Sequence, residues 1–178
     1  MSSDSVLLEL KNAVKDYPDF PKKGILFKDF LPIFQKPKLV NDMISAFQEY
    51  LQLNVPDVDC IAGIESRGFL IGPALSLKLQ VPFIPIRKPG KLPGEVKKET
   101  YSLEYGTDAV EIQCETLKDK HKVVIVDDLL ATGGTMAASV KLIKSLGVEV
   151  AACLVVIELS DLKGREKISE TVHSLIQY

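Results

Sequence analysis

Four stretches of this chain are apolar almost without interruption: Cys60-Ile-Ala-Gly-Ile64, residues 81–86, Lys122-Val-Val-Ile-Val126 and residues 148–159. A strand with one wet face alternates apolar and polar side chains, so a run without alternation must be covered on both faces. Residues 68–79 and 134–146 between these runs read as helices, and Val40, Met43, Ile44, Phe47 and Leu51 predict another over 38–53. Apolar strands separated by helices form a parallel sheet. The expected fold class is therefore α/β, an open, doubly wound, mostly parallel sheet with helices on both faces. Leu7, Leu10, Val14 and Tyr17 predict a first amphipathic helix, stopped by Pro18 and Pro21. With 178 residues, no repeat and no long linker, the expected organisation is one domain over 1–178. Ligands of such sheets bind beyond the carboxyl ends of the strands, which is where chemistry is to be sought.

One of those ends reads Asp127-Asp128-Leu-Leu-Ala-Thr-Gly-Gly-Thr135 and runs directly into a helix. Two adjacent carboxylates gain nothing from burial without partners, and the hydroxyls of a sugar diol are suitable partners. The small-residue turn presents successive backbone N–H groups at a helix N-terminus, a favourable place for a phosphate. Thr132 and Thr135 add hydroxyl donors. Together these residues describe a pocket for a ribose 5-phosphate. Neither a P-loop pattern nor a dinucleotide-binding glycine pattern is present.

Residues 127–135 resemble the phosphoribosyl pyrophosphate (PRPP) signature of the type I phosphoribosyltransferases. From end to end the chain is similar to the adenine enzymes of that family. The resemblance implies that Asp127 and Asp128 hold the ribose hydroxyls and that Ala131, Thr132, Gly133, Gly134 and Thr135 wrap the 5-phosphate. It also implies that Leu129 lies against the purine.

A second strand end, Ile61-Ala-Gly-Ile-Glu-Ser-Arg-Gly-Phe69, has the same design of buried strand, small polar turn and helix. Arg67 can pair bidentately with phosphate oxygens, and the turn offers N–H donors around Ser66 and Gly68. Two anion pockets flanking a diol binder suit a ribose bearing both a 5-phosphate and a 1-pyrophosphate. In the family this turn contacts the pyrophosphate and can contain a strained peptide bond. Glu65 stands where some relatives have Asp, and that exchange of one acid for another is expected to matter little.

Residues 87–106 hold two Pro-Gly pairs and five basic residues, and predict a long flexible lid loop. A lid has a chemical purpose here, because the glycosidic carbon becomes oxocarbenium-like as pyrophosphate leaves and must be kept from water. Arg87, Lys88 and Lys91 are the candidates to neutralise the departing pyrophosphate. Glu104, within Tyr101-Ser-Leu-Glu-Tyr-Gly106, is by resemblance a catalytic residue near the reacting base, with Arg67 as the other; the alternation of that segment equally suits a surface strand.

Residues 1–35 resemble the N-terminal helix and base-binding hood of the adenine enzymes. There a backbone group, here at Leu26, reads the purine edge, and an aromatic ring, here Phe27, packs on its face. The family commonly carries Arg where this chain has Lys28, which by resemblance also belongs to the adenine site.

The expected reaction is transfer of the 5-phosphoribosyl group from PRPP to adenine, giving AMP and pyrophosphate in purine salvage. The alternatives are the same transfer to another purine, or a PRPP-binding regulatory protein of this fold without turnover. Mg²⁺ is the expected cofactor, held mainly by the substrate, with no metal site made by protein residues. The net charge of −2 and the lack of a long apolar run argue against nucleic-acid and membrane partners. Cys60, Cys114 and Cys153 are scattered, as suits a reducing cytoplasm. By resemblance the chain is expected to be a homodimer.

Overall fold

The structure is a computed structural model and describes residues 3–102, 106–120 and 122–178. Its centre is a five-stranded, all-parallel sheet built from β3 (Cys60–Ile64), β4 (Phe83–Ile86), β7 (Lys122–Leu130), β8 (Glu149–Glu158) and β9 (Val172–Gln177). The strand order is β4-β3-β7-β8-β9. Helices α1 (Ser3–Ala13), α2 (Pro37–Asn54) and α3 (Gly68–Leu79) lie on one face, and α4 (Gly134–Lys144) lies on the other.

The absence of alternation in the sequence is explained by two cores. Ile61, Val124, Val126, Leu154 and Val156 face α1–α3, while Cys60, Ala62, Ile64, Val123, Ile125 and Val155 face α4. Every residue of β3 is buried. The chain leaves β3 through α3 to reach β4 on one side, and leaves β7 through α4 to reach β8 on the other. The winding therefore reverses between β3 and β7, and a crevice opens at their carboxyl ends.

Several boundaries differ from those read in the sequence. The first helix ends at Ala13, and Lys15–Pro18 forms β1, paired antiparallel with β2 (Leu26–Asp29) in a separate hairpin. The apolar periodicity through Val14 and Tyr17 belongs to two elements, because the Pro-rich stretch 18–21 favours extended backbone just before it. The 87–106 stretch is not one irregular loop. Val96–Ser102 is β5, paired residue for residue with β6 (Thr107–Gln113), and the Pro-Gly pairs interrupt only the chain before it. Strand β7 runs on through both aspartates to Leu130, so the phosphate-type turn begins at Ala131. The edge strand β9 has no continuous apolar run and shows no sign in the sequence of its place in the sheet.

Candidate active site

The carboxyl ends of β3 and β7 enclose a cavity of about 300 Å³. It is lined by Glu65, Ser66 and Arg67 from the β3–α3 turn, by Lys88, and by residues 127–136. The sheet register alone brings the two turns together, since β3 and β7 are neighbours with Gly63 opposite Val126. Size would favour a groove of about 610 Å³ elsewhere, but that groove lies beside Lys120, Gly147 and Val148, which lead into the amino ends of β7 and β8. Ligands of open parallel sheets bind at the other end.

Asp128 is buried, and one of its oxygens lies 3.0 Å from Nε of Arg67. Burial raises the Asp127 carboxyl well above the usual range, and the charge of Asp128 next to it raises it further. Burial also raises Asp128, with Arg67 opposing the shift. Arg67 thus compensates Asp128 directly, while Asp127 accepts the Asp128 N–H at 2.9 Å.

Beyond Leu130 the chain turns through Gly133, whose φ of +78° at the N-cap of α4 is a left-handed conformation that favours glycine. The first-turn N–H groups of α4 have no acceptor within the helix and face the cavity end, with the positive end of the helix dipole. Thr135 Oγ1 lies 3.0 Å from the hydroxyl of Tyr101 on β5. That hydroxyl donates to Asp108 at 3.1 Å and accepts from Lys88 at 3.3 Å, and Lys88 also pairs with Asp108. The β5–β6 hairpin is therefore latched onto the start of α4. Tyr101 was not among the residues singled out by sequence, although its aromatic ring within an alternating segment was a visible signal.

Arg87 and Lys91 do not point freely into the cavity. Arg87 donates through Nε and Nη2 to Glu65 at 3.1 and 3.3 Å, Lys91 Nζ lies 2.6 Å from the same carboxylate, and the Lys88 N–H donates to it at 3.0 Å. Burial pushes the Glu65 carboxyl up, but the bonds from Lys91, Arg87 and the Lys88 N–H together outweigh it and hold the group at about 2. Glu65, which the sequence did not mark as a site residue, is the hub of the cation cluster. The Glu65–Ser66 peptide bond is cis.

Next to the anion cavity is a mainly apolar one of about 360 Å³, lined by Tyr17, Phe20, Phe27, Asp29, Leu31 and Arg67. Phe20 and Phe27 meet edge to face at 5.1 Å. The Arg67 guanidinium stands 5.8 Å from the Phe27 ring centre, so this one side chain borders both cavities. Leu26 precedes Phe27 on β2 opposite Pro18 and is not among the lining residues. Lys28 is placed away from the apolar cavity: alternation along β2 turns it to Asp16, 2.7 Å away, and over the Tyr178 ring at 3.9 Å. It ties the hairpin to the residue after β9. Leu129 lines the anion cavity. Glu104 lies outside the described residues.

A family model for the phosphoribosyl transferase domain matches residues 32–177. The chain belongs to the phosphoribosyltransferase family. Among its relatives in that family, the adenine phosphoribosyltransferase of Eremothecium gossypii is 48% identical over 99% of this chain and 96% of its own length. Adenine phosphoribosyltransferase 1 of Saccharomyces cerevisiae is 49% identical over 99% of this chain and 95% of its own. A crystal structure of the S. cerevisiae enzyme, complexed with D-2,5-dideoxy-2,5-imino-altritol 1,6-bisphosphate and adenine, superposes with a TM-score of 0.94. It covers 97% of this chain and 99% of that one at 48% identity. No described helix of this phosphoribosyltransferase is long and apolar enough to cross a membrane.

Proposed function

We infer that this phosphoribosyltransferase transfers the 5-phosphoribosyl group of PRPP to adenine, giving AMP and pyrophosphate in purine salvage. The observation that carries the reading is Arg67, which borders a polar anion cavity on one side and an aromatic cavity on the other. A sugar bisphosphate and a flat base would meet at that boundary, as the two ligands named for the yeast enzyme would require.

In this reading the ribose hydroxyls donate to Asp127 and Asp128, and the turn 131–135 receives the 5-phosphate through backbone N–H groups and the Thr132 and Thr135 hydroxyls. The pyrophosphate lies against the Ser66–Arg67 turn, with Lys88, Arg87 and Lys91 as its cations; the last two first exchange Glu65 for phosphate oxygens. Phe27 packs on the purine, with Leu129 at the ribose side and the Leu26 backbone at the purine edge. As the bond from the ribose C1 to pyrophosphate breaks, a purine nitrogen forms the new bond to C1. Arg67 and Lys88 stabilise the negative charge gained by the leaving group. Glu104, carried by the segment between β5 and β6, assists proton movement at the base. That segment and the hairpin act as the lid that excludes water, and residues 1–35 act as the hood.

Mg²⁺ suits the donor set. The two aspartates and the phosphates offer hard oxygens, and among the described residues there is no group of three or more His, Cys, Asp or Glu to hold a metal. The ion would be bound mostly by pyrophosphate, ribose hydroxyls and water, and would supply charge neutralisation at the leaving group. A homodimer in a reducing cytoplasm is consistent with the three free thiols and with the exposed Leu70 and Leu77 on α3.

Initial rates of AMP, IMP and GMP formation from PRPP and the three bases test the reading. AMP formation should dominate. IMP or GMP outpacing AMP would overturn the base assignment, and PRPP binding without pyrophosphate release would make the protein a sensor.

A further inference from the structure

The segment after β8 contributes nothing to the linings of the two cavities, yet it packs its backbone directly against the phosphate turn. A Cβ on Gly164 would come within 2.2 Å of the Ala131 carbonyl oxygen and 2.9 Å of the Gly133 nitrogen. In the opposite direction, a Cβ on Gly133 would lie 2.3 Å from the Gly164 carbonyl oxygen. Backbone meets backbone at this contact, so no side chain can yield to relieve a clash.

A network of polar contacts holds Gly164 in place. Arg165 grips Glu158 with both arms of its guanidinium, Nε to Oε1 at 3.0 Å and Nη2 to Oε2 at 2.6 Å, and its Nη1 donates to the Val172 carbonyl. Glu158, buried at the end of β8, also accepts from Ser174 at 2.7 Å and from Gln177 at 3.3 Å on β9. The segment starts from a fixed point as well, since the Leu159 N–H donates to Leu130 at 2.9 Å, one residue before the phosphate turn. A bidentate pair with extra partners defines an orientation, not merely a distance.

We propose that Gly164 and the Arg165–Glu158 pair are positioning residues for the 5-phosphate. The pair clamps the segment to the sheet edge, and the Gly164 backbone then presses Ala131 and Gly133 into the shape in which their N–H groups converge. This rests on the reading that residues 131–135 bind the 5-phosphate. None of the three residues lines either cavity. They act on ligands that carry a 5-phosphate and leave pyrophosphate and adenine alone.

Binding of ribose 5-phosphate, pyrophosphate and adenine to the full chain, measured separately by calorimetry, tests this. Gly164→Ala should weaken ribose 5-phosphate about tenfold while changing pyrophosphate and adenine by less than about twofold, as expected when a binding turn is displaced by a fraction of an ångström. Arg165→Met should weaken it about threefold, and Arg165→Lys should recover part of the loss by keeping the charge but not the fork. If Gly164→Ala does not fold, Arg165→Met carries the test, because its side chain is 43% exposed and its loss leaves no steric clash. A folded variant of either kind that binds ribose 5-phosphate normally, or loses all three ligands alike, overturns the proposal. Thr132→Ala separates the two layers. If it weakens ribose 5-phosphate while the clamp variants do not, only the clamp is wrong. If all are silent, the turn is not the 5-phosphate site and the clamp falls with it.

Discussion

Arg67→Ala removes the side chain that joins the two cavities, and the structure sets how unequal the losses should be. The guanidinium is about a third exposed and lies 3.0 Å from a buried carboxylate. A charge-assisted hydrogen bond to phosphate contributes about 1.5–3 kcal/mol, and partial exposure favours the lower end of that range. At about 1.4 kcal/mol per tenfold, PRPP and pyrophosphate should each bind about ten- to thirtyfold more weakly. Adenine loses only a contact through Phe27, whose ring centre is 5.8 Å from the guanidinium carbon. At the outer edge of the cation–π range that contact contributes about 0.5 kcal/mol, or roughly twofold. Separate titrations of PRPP, pyrophosphate and adenine read the three numbers directly. Equal weakening of all three would refute the placement of Arg67 at the boundary, and so would a loss confined to adenine.

The acid pair makes binding depend on pH. In the proposed role Asp127 accepts from the ribose hydroxyls most strongly when ionised, and its carboxyl is held well above the usual range by burial and by Asp128. On acidification the KM for PRPP should therefore begin to rise at a pH above that of an ordinary aspartate, and Asp128→Asn should move that limb to lower pH. A limb that stays in place removes the proposed coupling. Glu65 has the opposite sign: its folded value of about 2 lies below that of a free glutamate, so its ion pairs stabilise the fold above about pH 4–5 and are lost as pH falls toward 2. With Arg87 and Lys91 partly exposed, Glu65→Gln should lower Tm at neutral pH by about 2–4 °C, equivalent to about 1 kcal/mol, and by much less near pH 2–3. A pH-independent difference would contradict this. Tyr101→Phe should leave the fold intact but unlatch the hairpin from Thr135, which faster hydrogen exchange over 96–102 would report; unchanged exchange would show that the latch does not hold the hairpin.

How far the sequence reached depended on whether a feature was local. Residues 60–64 and 68–79 form the strand and helix read from them, because a continuous apolar run and a helical period are written in adjacent positions. The cavity gathers Ser66, Arg67, Lys88 and 127–135 for the same reason, since each turn follows its own strand and the parallel register does the rest. Relations between distant residues were hidden. Glu65 is a hub because Arg87 and Lys91, more than twenty residues away, reach back to it across the β3–β4 edge. Lys28 lies one residue from Phe27, which lines the apolar cavity, but strand alternation sends it to Tyr178, at the far end of the chain. Gly164 carries no local motif, and only the closeness of its backbone to Ala131 gives it significance.

In the proposed reaction Asp127 and Asp128 hold the ribose while Arg67 and the aromatic cavity hold the leaving pyrophosphate and the incoming base. AMP formation from adenine and PRPP with Mg²⁺, compared between the natural chain and the Asp127→Asn, Asp128→Asn double variant, tests it most directly. The double variant should lose at least about a hundredfold in kcat/KM for PRPP, corresponding to about 3 kcal/mol of ribose contacts, with adenine binding retained. Near-normal AMP formation by the double variant would contradict this placement of the ribose.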